Sequence, residues 1–312
     1  MVKTKIRIGF AGTPKIAFDH LSKLLLSDKF SVEFILTQPN KAAGRGMSEN
    51  ISLFSELAKT IPVFQFSDLR SQEAQKEVAS YKVDLLVVVA YGKLIPQWLL
   101  DHPTYGCLNV HFSLLPKYRG AAPMQRAIQN GEKLSGISFM KLEEGLDEGP
   151  VYKKIEANIE GKDFYEVENL LLQESLNEIS NAVNDVCAGA VAENQKHSNA
   201  TYAEKIEKLE GKINWNDSCE SIKNKFLAFV SWPQTFFMVG EQEVKAMDLF
   251  IHSKEIGKAG EVQSFDRDSL KVFCADGVIS IKSVKFPGKK VIGSLDFFNS
   301  KRDIISKGDL LI

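Results

Sequence analysis

No stretch of this chain is apolar for the roughly 20 residues that a membrane-crossing helix needs. The opening Met1-Val2-Lys3-Thr4-Lys5 leads toward a strand-like segment without the apolar core of a secretory signal. Both absences lead to the expectation of a cytoplasmic protein with no membrane partner. Cysteine is scarce. Its four copies in 312 residues, Cys107, Cys187, Cys219 and Cys274, form no Cys-x-x-Cys pair. Idle thiols in a reducing compartment are therefore expected rather than disulfides or metal ligands. The five histidines show no zinc spacing either, and no metal is expected. A surplus of one charge sign is also missing: 39 Lys and Arg stand against 40 Asp and Glu, a net charge of −1. That balance excludes a protein held on nucleic acid mainly by its overall field. The chain has no internal repeat and no low-complexity tract.

What remains is an ordinary globular composition, 44% hydrophobic and 25% charged, at a length that suggests two domains. Residues 6–11 form an apolar strand ending in Gly12-Thr13-Pro14. Thr13 is expected to cap a helix that starts at Pro14 and presents Ile16, Phe18, Leu21, Leu24 and Leu25. A strand at 31–37 and a Gly-rich loop at 38–50 follow. The alternation of helix and strand continues to the β-branched run at 84–90, which has the composition of a parallel strand buried on both faces. The pattern predicts an α/β domain with a doubly wound, Rossmann-like, mainly parallel sheet, whose ligands sit beyond the carboxyl ends of the strands. Gly-x-Gly-x-x-Gly is absent, so a dinucleotide site is not indicated. Strands at 136–140 and 151–155 and a helix at 163–188 complete a first domain over 1–196. Residues 197–215 are polar and aperiodic, a linker. A helix at 218–231 and five short strands, with Asp276-Gly277 as a hairpin signal, make a small barrel over 216–312.

The chemistry concentrates in residues 107–113. As a strand they alternate, so Asn109, His111 and Ser113 share one face while Val110 and Phe112 share the other. An amide and an imidazole on neighbouring same-face positions at a strand end supply a hydrogen-bond donor and a proton-transfer group. Asp147, in Gly145-Leu146-Asp147-Glu148-Gly149, can orient or charge that imidazole, although the residues alone read more plainly as a turn aspartate. Together the three are equipment for acyl transfer without a covalent nucleophile. His20, His102, His197 and His252 have no such neighbours and are expected at the surface or at helix ends. A basic cluster from Lys282 to Arg302 and the lysines 205, 208 and 212 read, on charge alone, as solvated surface.

Asn109-x-His111-x-Ser113-Leu114-Leu115-Pro116, Arg119-Gly120-Ala121-Ala122-Pro123 and Gly145-Leu146-Asp147 together resemble the 10-formyltetrahydrofolate-dependent formyltransferases. Residues 10–14 (Phe-Ala-Gly-Thr-Pro), 37–39 (Thr-Gln-Pro), 43–46 (Ala-Gly-Arg-Gly), 87–92 and 201–206 and Trp232-Pro233 carry the resemblance over almost the whole chain. They point to the branch of that family that acts on methionyl-initiator-tRNA. The resemblance implies formyl transfer from N10 of the folate to the methionyl α-amine. Asn109 and His111 would donate to the developing oxyanion, and His111 and Asp147 would move the protons. It further implies 10-formyltetrahydrofolate as co-substrate and a folate pocket formed by Ser113, Leu114, Leu115 and Pro116 with Tyr91 and Gly92. An OB-like C-terminal barrel, a monomer, and phosphate contacts from Arg45, Lys205, Lys208, Lys289 and Lys290 complete the expectation. Two other readings stand beside it. A formyltransferase for a small-molecule amine is disfavoured by the barrel and its basic patch. A non-catalytic RNA-binding protein on the same scaffold is disfavoured by the intact Asn109, His111 and Asp147. The chain departs from the family at Phe112, where a small residue is usual, and at 47–53. There Met-Ser-Glu-Asn-Ile-Ser-Leu replaces a more basic run that would grip the acceptor stem.

Overall fold

The structure, a computed structural model, describes residues 5–39, 54 and 57–311. Arg45, the altered residues 47–53 and most of the Gly-rich loop lie outside the described residues. The chain divides into two units, one of Met1–Pro123, Ser135–Ala157 and Asn169–Ala203, the other of Met124–Leu134, Asn158–Glu168 and Glu204–Ile312.

The strands of the first part are β1 (Ile6–Gly12), β2 (Phe30–Leu36), β3 (Val63–Phe64), β4 (Leu85–Val89), β5 (Cys107–His111), β6 (Arg119–Gly120), β7 (Leu134–Lys141), β8 (Val151–Asn158) and β9 (Tyr202–Ala203). Seven form one sheet in the order β3-β2-β1-β4-β5-β7-β8, while β6 and β9 pair separately. The pairings from β3 through β5 are parallel, and β7 runs antiparallel to β5. This is the expected α/β architecture. All five β4 residues are buried, as a strand covered on both faces requires.

Helices α1 (Lys15–Leu25), α2 (Gln72–Ala79) and α3 (Gln97–Leu100) cover the sheet, followed by α4 (Pro123–Gln129) and the long α5 (Phe164–Cys187). On one face, Ala11, Leu86, Val88 and Cys107 pack with Val78 of α2 and with Leu99 and Leu100 of α3. The opposite face receives α1. Phe112, of opposite parity to Cys107, Asn109 and His111, sets its ring edge-on to His20 of α1, centroids 6.2 Å apart. The bulky side chain at position 112 is thus absorbed into packing behind the strand.

Two expectations about α1 need correction. Thr13 does not cap it; the cap position is Pro14, without a side-chain bond. The Thr13 hydroxyl instead bridges loops, accepting from the Gln38 N–H at 3.2 Å and donating to the Tyr91 carbonyl at 3.4 Å. The buried stripe is Ala17, His20, Leu21 and Leu24, so His20 is interior, not at the surface. Its spacing from Ala17 and Leu24 places it on the inward face. Nδ1 donates to the Ile16 carbonyl at 2.7 Å, and Nε2 meets the Ser175 hydroxyl at 2.8 Å. Burial holds the imidazole below its ordinary value of 6.5, partly opposed by the Ile16 bond. The folded protein therefore keeps His20 neutral where the unfolded chain takes up a proton. Stability is unaffected above the unfolded value and falls as pH drops through it, by up to about 1.4 kcal/mol per pH unit for one proton. Urea unfolding between pH 5 and pH 8 is expected to show this loss, and His20→Gln a shallower one. Parallel pH slopes for both proteins would refute it.

The second part begins with α6 (Cys219–Ala228), capped by the Ser218 hydroxyl, which accepts from the Ser221 N–H at 3.1 Å. Strands β10 (Phe236–Val239), β11 (Gln242–Ser253), β12 (Val262–Phe265), β13 (Leu270–Cys274), β14 (Gly277–Lys285) and β15 (Val291–Gly293) form an antiparallel sheet, followed by α7 (Ser294–Lys301). Register shifts along β11 at 246–249 and 251–253 bend it and curl the sheet into a barrel-like form. The core includes Trp215, Ile222, Phe237, Val244, Ile281 and Phe297. β15 and α7 were not legible as elements, because residues 286–302 read only as a basic cluster. The hairpin turn is Ala275-Asp276, with Gly277 already paired to Cys274.

Cys107 fits the idle-thiol reading: burial pushes it up to about 12, and it donates to the Leu99 carbonyl. Cys219 and Cys274, by contrast, are brought together, Sγ to Sγ 2.7 Å, beside Asp276. Two thiolates sharing a tetrahedral zinc at 2.3 Å bonds would sit about 3.8 Å apart, so this spacing does not match a shared ion. Among the described residues no helix is long and apolar enough to cross a membrane.

Candidate active site

The parallel strands bring four chain exits to one edge of the sheet: Thr13 after β1, Gln38 after β2, Tyr91-Gly92 after β4, and the end of β5. Ala90 and Gly92 have φ of 45° and 74°, so the chain leaves β4 in a sharp bend. The Tyr91 carbonyl accepts from Gln38 Nε2 at 2.6 Å, and a Cβ on Gly92 would meet that same nitrogen at 2.6 Å. The Tyr91 ring is 2% exposed. Burial raises its hydroxyl to about 12, and the hydroxyl has no partner among the described residues. Tyr91 therefore shapes this edge through its backbone, with its ring in the core.

Asn109 and His111 lie two apart on β5, paired to Met140 and Ser138 of β7. Asn109 is 9% exposed, and its side-chain amide has no hydrogen-bond partner among the described residues. The side chain is mostly covered, but its amide is not among the buried orphaned groups, so its N–H groups open outward and can receive an oxygen. His111 Nε2 lies 2.9 Å from the Tyr118 carbonyl. A carbonyl only accepts, so the ring proton sits on Nε2 and Nδ1 is the nitrogen free to exchange one. Facing Nδ1 at 3.6 Å is Asp147 Oδ2. The same oxygen accepts the Gly120 N–H at 2.8 Å. Amide, imidazole and carboxylate thus stand together in one unit, although Asp147 comes from a loop 36 residues after His111. Gly120 and Tyr118 contribute through the backbone. The motif at 119–123 marked the segment, but composition cannot show which backbone group is used.

Past β5 the chain turns away. The Ser113 hydroxyl donates to the Lys117 carbonyl at 2.6 Å, and the Ser138 hydroxyl donates to the Ser113 carbonyl at 2.7 Å. Leu115 is fully buried against Met140 and Val151, while Leu114 and Pro116 are half-buried. Of the expected basic residues, Lys205, Lys289 and Lys290 are exposed in the second unit. Lys208 is also exposed, but pairs with Glu243 at 3.2 Å. Lys289 and Lys290 occupy the turn between β14 and β15.

Comparison with known proteins gives this arrangement a context. Residues 5–181 match the model of the formyl transferase family, and residues 205–302 match that of the formyl transferase C-terminal domain. The chain is 38% identical over 310 residues to the methionyl-tRNA formyltransferases of Pseudomonas entomophila (strain L48) and of Pseudomonas putida (strain F1), covering 98% of this chain and 99% of each relative. Among solved structures it is similar to WlaRD, a sugar 3N-formyl transferase determined in the presence of dTDP and 5-N-formyl-THF. The TM-score is 0.66 at 17% identity, covering 92% of this chain and all of that one. That likeness carries the fold; the near-full-length identity to the Pseudomonas proteins carries the family. The chain belongs to the formyl transferases and, within them, to the methionyl-tRNA formyltransferase family.

Proposed function

We infer that this enzyme transfers the formyl group of 10-formyltetrahydrofolate to the α-amine of methionyl-initiator-tRNA for translation initiation, with Asn109, His111 and Asp147 carrying the chemistry. One observation supports the assignment of roles above all: an amide with no hydrogen-bond partner among the described residues stands two residues from an imidazole that faces a carboxylate. The donor set suits the co-substrate. Asn109 offers N–H donors, Asp147 an acceptor, and the half-buried Leu114 and Pro116 apolar surface for a flat ring. When bound, the folate supplies a formyl carbon on a nitrogen leaving group. Asn109 donates to the formyl oxygen as it gains charge, a contact worth about 3 to 4 kcal/mol in comparable sites. As the new C–N bond forms, the amine gives up a proton; as the old one breaks, the leaving nitrogen takes one. His111 Nδ1 and Asp147 Oδ2 form the site that holds the proton between those events. The folate wall is drawn from Ser113, Leu114, Leu115, Pro116, Tyr91 and Gly92, several of them acting from behind as packing.

The three groups come from one chain, which suits a monomer, and we place the enzyme in the cytoplasm. Residues 1–196 form the catalytic domain and 216–312 an OB-like tRNA-binding domain, joined by 197–215. Arg45, Lys205, Lys208, Lys289 and Lys290 are the residues assigned to contact the tRNA phosphates. The test of function mixes the protein with 10-formyltetrahydrofolate and methionyl-initiator-tRNA and follows formylmethionine after ester hydrolysis. Product on the tRNA, and none on aminosugar nucleotides, is expected. tRNA binding without product would support the non-catalytic alternative. Each phosphate contact adds roughly 0.9 to the log–log salt slope of duplex binding. Reversing Lys289 and Lys290 to Glu together is therefore expected to raise KM for tRNA and flatten its salt dependence, leaving KM for folate unchanged. An unaltered slope would move the RNA surface away from this turn.

A further inference from the structure

The Arg119 side chain is fully buried, and its surroundings do little to neutralise it. Nε and Nη2 donate to Gln195 Oε1 at 3.1 and 2.8 Å, and Nη1 and Nη2 each lie 3.4 Å from His197 Nδ1. Among the described residues the one carboxylate paired with it is that of Glu148, 3.3 Å from Nη1 and 40% exposed. Desolvating a guanidinium costs several kcal/mol, so a cation held mainly by a neutral amide calls for a reason. The reason is found on the other side of that amide. With Oε1 committed to Arg119, the Gln195 NH₂ must face the opposite way. There it donates to the Asp147 carbonyl at 2.8 Å and the Gly149 carbonyl at 2.7 Å.

Those two carbonyls bracket the loop that carries the candidate carboxylate. Asp147 has φ of +50°, a conformation that costs a non-glycine residue energy and persists only where its surroundings impose it. Arg119 also pairs with Glu148, between the two gripped carbonyls, while the N–H of its neighbour Gly120 holds the Asp147 carboxylate itself. Gln195 is in turn placed by the antiparallel bridge between Glu193 and Val151 at the start of β8. Apart from its contact with His197, the guanidinium's bonds to Gln195 and Glu148 therefore lead to the residues that aim Oδ2 at His111.

We propose that Arg119 and Gln195 are positioning residues that act through the Asp147 loop, a role that rests on the proposed catalytic part of Asp147. Arg119 fixes which way the Gln195 amide points, and Gln195 fixes the backbone of the loop. Neither touches substrate.

Gln195→Glu is the discriminating variant. It keeps the side chain's size and gives Arg119 a full ion pair, yet a carboxylate cannot donate to the two carbonyls. A misplaced reacting group costs roughly 10²-fold, so kcat is expected to fall by that order while KM for tRNA and folate stays within about twofold. Arg119→Met is expected to behave similarly, with Arg119→Lys recovering part of the loss; if Arg119→Met does not fold, Gln195→Glu alone decides. The decisive readout is the same substitution in an Asp147→Asn background. There Gln195→Glu is expected to cost almost nothing further, because the group it positions is already disabled. An equal fold-loss in both backgrounds, or wild-type kcat for Gln195→Glu, overturns the proposal. Wild-type kcat for Asp147→Asn alone would instead overturn the reading on which the proposal rests, so the two failures are distinguishable.

Discussion

Asn109→Ala, His111→Ala and Asp147→Ala are each expected to lower kcat by roughly 10² to 10³, the range set by losing one oxyanion donor or one proton-transfer group. KM for either substrate should hardly move, because these contacts strengthen as charge and protons shift, not when the substrates first bind. The structure sharpens the expectation for Asn109. Its amide makes no hydrogen bond within the described residues, so truncation removes nothing from the folded protein except packing of a small side chain. Asn109→Ala should therefore lose activity with an almost unchanged melting midpoint. His111→Ala, which gives up the bond to the Tyr118 carbonyl, should also lose about 1 kcal/mol of stability. Steady-state kinetics alongside thermal melts separate the two effects. Wild-type kcat for Asp147→Ala would return that residue to a turn role.

The second large effect is expected from a single methyl group. A Cβ on Gly149 would lie 1.9 Å from the Lys141 carbonyl oxygen and 3.1 Å from its carbon. Both are backbone atoms at the point where the Lys141 N–H donates to the Pro150 carbonyl at 2.9 Å, so no side-chain rotation can relieve the contact. Gly149→Ala must push the two ends of the Asp147 loop apart. It also shifts the carbonyl that Gln195 holds. The expected result is a loss of about 2 kcal/mol in stability together with a fall in kcat of roughly 10²-fold. Gly293→Ala, where a Cβ meets nothing within 4 Å, is the matched control and should alter neither. Denaturant unfolding and kcat for both variants decide the matter; a wild-type-like Gly149→Ala would mean that the loop tolerates displacement.

The parts of this protein that could be read from its residues are those governed by local periodicity. Alternation along 107–113 placed Asn109 and His111 on one face and sent Phe112 to the other, where it meets His20. The aliphatic run at 85–89 announced a strand covered on both faces. What escaped was decided by partners distant in sequence. Thr13 looked like a helix cap and instead bridges to Gln38 and Tyr91, because neighbouring strand exits need a shared hydroxyl more than Pro14 needs a cap. His20 looked like a surface residue until α1 was seen to pack against Ser175 and Phe112. Gln195, 48 residues after Asp147 and in a stretch with no motif, carries no local signal at all. Asp147 itself was readable as more than a turn residue only through the resemblance of its neighbours to a family. Ser113 and Leu115 belong to the motif that suggests a pocket wall, and their side chains also tie the loop together, Ser113 through the Lys117 carbonyl and Leu115 against Met140 and Val151.

The claim that amide, imidazole and carboxylate work as one unit is tested most directly by single-turnover formyl transfer with both substrates saturating. The comparison is between the wild type, His111→Ala, Asp147→Ala and the double variant. If His111 Nδ1 and Asp147 Oδ2 share one proton site, removing either empties it, and the double variant should be no more than a few-fold slower than the slower single variant. Losses that multiply, so that the double variant falls by the product of the two single factors, would contradict the account and assign the two groups separate tasks.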